Sequence, residues 1–127
     1  MNHMNDFALT FEELLAWKKS YKLTLYIYKL TNSFPSNEEF GLKSQMRRSA
    51  VSIISNIAEG FKRQGKKDQI RFYNIAEASL EELKCQSMLS KDLEYFDLEQ
   101  YKAVKIMQEE SGKLLNGWIK WQKKCLS

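Results

Sequence analysis

The sequence predicts an all-α protein, an antiparallel up-and-down four-helix bundle formed by one domain over residues 1–127. Three observations lead there. Proline occurs once and glycine five times, too few to punctuate a strand-and-turn fold. Apolar residues recur at helical spacing in four blocks. Thr10/Glu13, Ser36/Glu39 and Asp97/Gln100 each set a short polar residue three places ahead of Glu or Gln. In that spacing the two side chains satisfy each other's orphan backbone N–H groups at a helix start.

The first helix is expected over about 11–32, opened by Thr10 and Glu13, with Leu14, Tyr21, Leu25 and Tyr28 on one apolar stripe. Pro35 ends any continuation because it lacks an N–H. The second helix runs over about 37–62 from the Ser36/Glu39 pair, and Gly60 lies near its end. The segment KRQGK makes the next corner. The third helix covers about 67–93, with Phe72, Ile75, Ala76, Leu80, Leu83 and Met88 toward the core. The fourth covers about 98–123 behind Asp97 and Gln100, with Val104, Met107, Leu114, Leu115 and Trp118 on its stripe. Gly112 and Gly117 either weaken that helix, by about 1 kcal/mol each relative to alanine, or permit close packing. No internal repeat or low-complexity segment interrupts these blocks.

Within the second helix, residues 49–58 carry no charge in a chain that is 28% charged. At 100° per residue, Leu42, Met46, Ala50, Ile53 and Ile57 form a core stripe. Val51, Ile54 and Ala58 form a second apolar strip, and Arg47 falls inside it. Gln45, Ser49, Ser52 and Asn56 form a small polar row. The apolar arc is wider than one core face needs. The expectation is therefore an oligomer interface through Arg47, Val51, Ile54 and Ala58. Arg47 would enter a buried or inter-subunit ion pair, since an arginine in apolar surroundings needs a partner.

Net charge is +4, unevenly spread. Residues 61–73 hold five bases (Lys62, Arg63, Lys66, Lys67, Arg71) against Asp68, and residues 111–127 hold four lysines and no acid. Residues 74–110 hold four bases and nine acids. In an up-and-down bundle the second and fourth helices finish at the same end. Lys62, Arg63, Lys66, Lys67, Arg71, Lys120, Lys123 and Lys124 thus become candidate phosphate contacts for RNA or DNA, acting by charge and counterion release. The competing reading is that lysines at helix ends complement the dipole and keep the protein soluble. Trp118 and Trp121 interleave with Lys120 and Lys123, so they serve either as base-stacking platforms or as core.

Catalytic chemistry finds little footing. The single histidine is His3, and no HExxH, P-loop or GxSxG motif occurs. Glu77, Glu81 and Glu82 lack the Glu-x-x-His partners of a di-iron bundle and read as a solvated acidic face. No metal or cofactor is expected. Cys85 and Cys125 lack CxxC spacing and read as buried or idle thiols of a reducing cytosol. No apolar run approaches the roughly 18 residues of a membrane span, and MNHMNDFALTFEE has no basic region of a signal peptide. A cytoplasmic location is expected.

The segments TNSFPSNEEFGLKSQMRRSAVSIISNIAEG and RFYNIAEASLEEL, with Leu14–Trp17, resemble the bacterial four-helix-bundle proteins named for 23S ribosomal RNA intervening sequences. Ile54 stands where that family usually has proline, Ser49 where it has alanine and Ala78 where it has glycine. The missing proline predicts a straighter second helix. The resemblance implies an all-α bundle assembled as a ring, commonly a homopentamer. Related bundles are accessory proteins of retroelement reverse transcriptases and bind nucleic acid through a basic surface. Two functions follow as expectations. One is a non-enzymatic oligomeric scaffold binding nucleic acid, and the other is a protein-interaction adaptor without nucleic-acid affinity.

Overall fold

The computed structural model describes residue 8 and residues 10–126. Four helices, α1 (Leu15–Thr31), α2 (Leu42–Lys62), α3 (Lys66–Asp92) and α4 (Leu98–Lys124), pack in sequence, and α4 closes back on α1. This is the all-α up-and-down bundle, with one core that includes Leu23, Ile27, Met46, Ile53, Leu80, Leu83, Val104 and Leu115. The α2 core stripe Leu42, Met46, Ala50, Ile53 and Ile57 is buried as the wheel predicts.

The helix starts obey local chemistry unevenly. At α4 the capping box forms: Gln100 N–H donates to Asp97 Oδ1 (2.8 Å) and Asp97 N–H to Gln100 Oε1 (2.9 Å). At α1 it does not. Phe11–Glu13 make a 3₁₀ turn, and the Thr10 hydroxyl meets the Glu13 carboxylate at 3.4 Å, not a backbone N–H. Leu14 is extended (φ −71°, ψ 127°) and fully buried. Burying a leucine is worth about 1.5–3 kcal/mol, more than a typical cap of ~1 kcal/mol. At α2, Ser36–Glu38 again form a 3₁₀ turn, and the helix begins later than expected, at Leu42. Its cap is Glu38, whose Oε1 accepts the Leu42 N–H at 3.0 Å, while Glu39 pairs with Lys43 (3.0 Å).

The first helix turns another face inward than expected. Tyr21, Leu25 and Tyr28 are exposed, and Ser20, Leu23, Thr24, Ile27 and Thr31 are buried. Thr24 and Thr31 donate their hydroxyls to the Ser20 and Ile27 carbonyls (2.8 and 2.7 Å). Such back-bonding satisfies the hydroxyl within its own helix and lets it face the core. The same device serves Ser87 and Ser90 on α3, each 2.8 Å from a carbonyl four residues back. On α3, Ala76, Leu80 and Leu83 are buried as predicted, whereas Ile75 and Met88 are exposed. On α4, Val104, Leu115 and Trp118 are buried, with Met107 and Leu114 packed at the core's edge.

The uncharged run of α2 is partly explained inside the monomer. Ser52 Oγ and Ser79 Oγ are 2.8 Å apart, Ser49 is buried, and Asn56 donates to Ser52. A Cβ added at Gly60 would stand 2.6 Å from the Tyr73 ring and 3.0 Å from the Gln69 carbonyl oxygen. Ser49 and Ser52 of the small polar row thus lie at the α2–α3 seam, while Gln45 is exposed.

Candidate functional site

Gly60 sets the site by letting α2 finish tightly against α3. Arg63 takes extended backbone (φ −64°, ψ 147°), and after Gly65 the chain enters α3 at Lys66. This short corner holds the first basic cluster against the last turns of α4. The Lys66 ammonium donates to the Gln122 side-chain oxygen, tying the two basic segments together at one end of the bundle.

The eight candidate cations are not equivalent there. Arg63 pairs with Glu59 (3.2 Å) and Asp68 (3.6 Å), and Arg71 with Asp68 (3.1 Å). Both guanidinium groups also lie over the Phe72 ring, at 4.5 and 4.4 Å from its centre. Asp68 and Phe72 therefore gather the two arginines at one corner. Lys62, Lys67, Lys120 and Lys123 are exposed and form no ion pair among the described residues. Lys124 closes α4.

Between α2, α3 and the end of α4 lies a depression of about 450 Å³. Phe61, Tyr73, Trp118 and Trp121 supply its aromatic surface, and Lys66, Gln69 and Gln122 its polar groups. Trp118 is only 8% exposed and packs edge-on against Tyr73. Burial pushes the Tyr73 hydroxyl above the usual tyrosine range. The Trp118 indole N–H leans toward that hydroxyl and offsets part of the shift, yet closes no hydrogen bond. Trp121 is half-buried at the rim. Trp118 belongs to the core, and Trp121 packs against the core while lining the depression.

Within the chain, Arg47 meets no carboxylate among the described residues. Its Nε donates to Thr31 Oγ1 (2.9 Å), and a terminal nitrogen donates to the Tyr28 carbonyl and Asn32 Oδ1 (both 3.0 Å). It also stacks over the Tyr28 ring at 4.5 Å. The guanidinium closes the C-terminal end of α1, where the helix dipole and unpaired carbonyls favour a cation. Of its strip, Val51 is exposed, and Ile54 and Ala58 are part-buried. Val51 lines one surface depression with Tyr28 of α1 and Phe40, and Tyr21 and Leu25 of α1 are also exposed. Phe40, before α2, is 94% exposed.

The acidic face holds no metal cluster among the described residues. Glu81 pairs with Lys84 (2.9 Å) and Glu77 accepts from Asn116 (3.3 Å). Cys85 and Cys125 are free and exposed, not buried. His3 lies outside the described residues. No helix among the described residues is long and apolar enough to cross a membrane.

Known proteins align with this architecture. The family model for the 23S rRNA-intervening sequence protein matches residues 12–117. A crystal structure of a protein of unknown function from the S23 ribosomal protein family of Bacteroides thetaiotaomicron VPI-5482 superposes with a TM-score of 0.77 at 31% identity. The match covers 84% of this chain and 99% of that one. No curated protein matches. With most of its length matched by the family model and the bundle shared with an S23 relative, the chain belongs to the 23S rRNA-intervening sequence protein family.

Proposed function

We propose that the protein is a non-enzymatic, cytoplasmic, oligomeric scaffold that binds RNA or DNA through the basic end of its bundle. The observation that carries this reading is the convergence of the α2–α3 corner with the C-terminal turns of α4, tied by Lys66 and Gln122. Lys62, Lys67, Lys120 and Lys123, without an ion pair among the described residues, form a field suited to phosphates, and engaging phosphates releases counterions. Assembly into a ring, a homopentamer by resemblance to the family, repeats that end around the axis. The exposed apolar side chains Tyr21, Leu25, Tyr28, Phe40 and Val51 support self-association.

The test is binding of a labelled oligonucleotide across a salt series. Lys62→Glu, Lys67→Glu, Lys120→Glu and Lys123→Glu together should flatten the log–log salt slope by about one for each phosphate no longer engaged. Parent-like binding by this variant, or no salt dependence in the parent, sinks the phosphate reading. The adaptor reading takes its place if the parent shows no affinity for RNA or DNA at about 50 mM salt, where electrostatic binding is strong.

A further inference from the structure

We propose that a cleft between α2 and α3, in the first half of α2, binds a small polar α-amino acid through both of its charges. The site is separate from the basic end and does not depend on the nucleic-acid reading. Helical spacing builds it. Gln45, Arg48, Ser49 and Ser52 lie three and four residues apart and share one face of α2. Across the seam, Glu82 and Gln86 share a face of α3. Ser52 and Ser79 touch at 2.8 Å, where the seam is tight. Beyond that contact it opens into a cleft of about 390 Å³, within the size range of small-molecule sites. Every described side chain that lines it is polar.

The polar groups of the cleft lack the partners that burial and charge call for. Ser49 is 4% exposed, and its hydroxyl has no hydrogen-bond partner among the described residues. Ser87 and Ser90, also buried on a helix, give theirs to the carbonyl four residues back. The Gln86 side-chain oxygen is likewise buried without a partner. Arg48 and Glu82 bring opposite charges to the same cleft. Neither forms an ion pair with the other or with any described residue. Buried hydrogen-bonding groups left unmatched are costly, so this set specifies its occupant.

The charges define the chemical class. A lone anion would meet Arg48 but face the Glu82 carboxylate, and a lone cation would face Arg48. An apolar occupant would leave all these groups unmatched. An α-amino acid carries a carboxylate and an ammonium on one carbon. The carboxylate accepts from the Arg48 guanidinium and the Ser49 hydroxyl. The ammonium donates to the Glu82 carboxylate and the Gln86 oxygen. With only polar side chains around it, the cleft disfavours aliphatic and aromatic amino acids.

The test follows the backbone amide NMR signals of the full-length protein during titration with L-serine. Acetate and methylammonium, which carry one of its charges each, are titrated separately. L-serine should produce saturable shifts at the Ser49, Ser52 and Gln86 amides. Acetate and methylammonium should each bind at least about tenfold more weakly, the worth of one charge-assisted hydrogen bond. Arg48→Gln and Glu82→Gln, both at exposed positions, should each weaken L-serine by a similar factor, and the spectra themselves report that the fold is kept. No saturable shift with L-serine would mean that water alone fills the cleft, and overturns the proposal. Acetate binding as tightly as L-serine reduces the site to an anion contact and also overturns it. So does L-serine affinity that is unchanged in either charge variant.

Discussion

Arg47 Nε donates to Thr31 Oγ1 across 2.9 Å, so an arginine near the start of α2 closes the end of α1. Thr31 is buried and passes its own hydrogen to the Ile27 carbonyl, so the pair links a core residue to the rim. Arg47→Met should lower stability by about 1.5–3 kcal/mol, the range for hydrogen bonds to a charged group. Arg47→Lys should recover only part of this, because a point charge cannot serve three acceptors in a fork. Urea unfolding midpoints at constant slope check both.

Gly60 and Gly117 should respond to alanine with opposite signs. Both gain the helix propensity of alanine, up to about 1 kcal/mol. At Gly117 nothing lies within 4 Å of the added Cβ, so the gain stands. At Gly60 the Cβ meets the Tyr73 ring at 2.6 Å, and overpacking of about 1–3 kcal/mol outweighs it. Thermal melts of the two variants should move in opposite directions. A stabilised Gly60→Ala would show that the α2–α3 seam yields freely.

Glu38 makes the opposite end of the bundle pH-dependent. The Leu42 N–H first, and then the Tyr95 hydroxyl at 2.8 Å, hold its carboxyl below the usual range. The depressed value means the carboxylate stabilises the fold above its unfolded pKa of about 4.3 and loses that contribution as pH falls through the folded value. Tyr95 is raised by the same bond. Its contribution is present below an unfolded pKa of about 10 and fades as pH rises through the higher folded value. Glu38→Gln should flatten the acid limb of stability against pH, and Tyr95→Phe the alkaline limb. Unfolding midpoints measured over about pH 3–5 and 9–11, which bracket the unfolded values, would refute the coupling if neither limb changes.

The exposed apolar side of α1 and α2 yields an assembly prediction. Leu25 is 55% exposed on α1, and Val51 lies on α2's outer strip. Leu25→Glu with Val51→Glu should convert a sedimenting oligomer to monomer while leaving the helical circular dichroism unchanged. A parent protein that sediments as a monomer at micromolar concentration removes the oligomer proposal.

The four helices, the α2 core stripe and the Asp97/Gln100 cap were legible in the sequence, because each depends on residues within one or two turns of one another. Up-and-down order also made it legible that α2 and α4 finish at the same end. Tertiary packing chose among the options that spacing leaves open. It selected the inward face of α1, since Thr24 and Thr31 quench their hydroxyls within the helix and leave Tyr21, Leu25 and Tyr28 outside. It moved the α2 cap to Glu38 and set Arg47 at the end of α1. It also sorted the basic cluster, binding Arg63 and Arg71 to Asp68 and leaving Lys62, Lys67, Lys120 and Lys123 without an ion pair among the described residues. Each choice turns on which groups from distant segments meet, and helical periodicity carries no information about that.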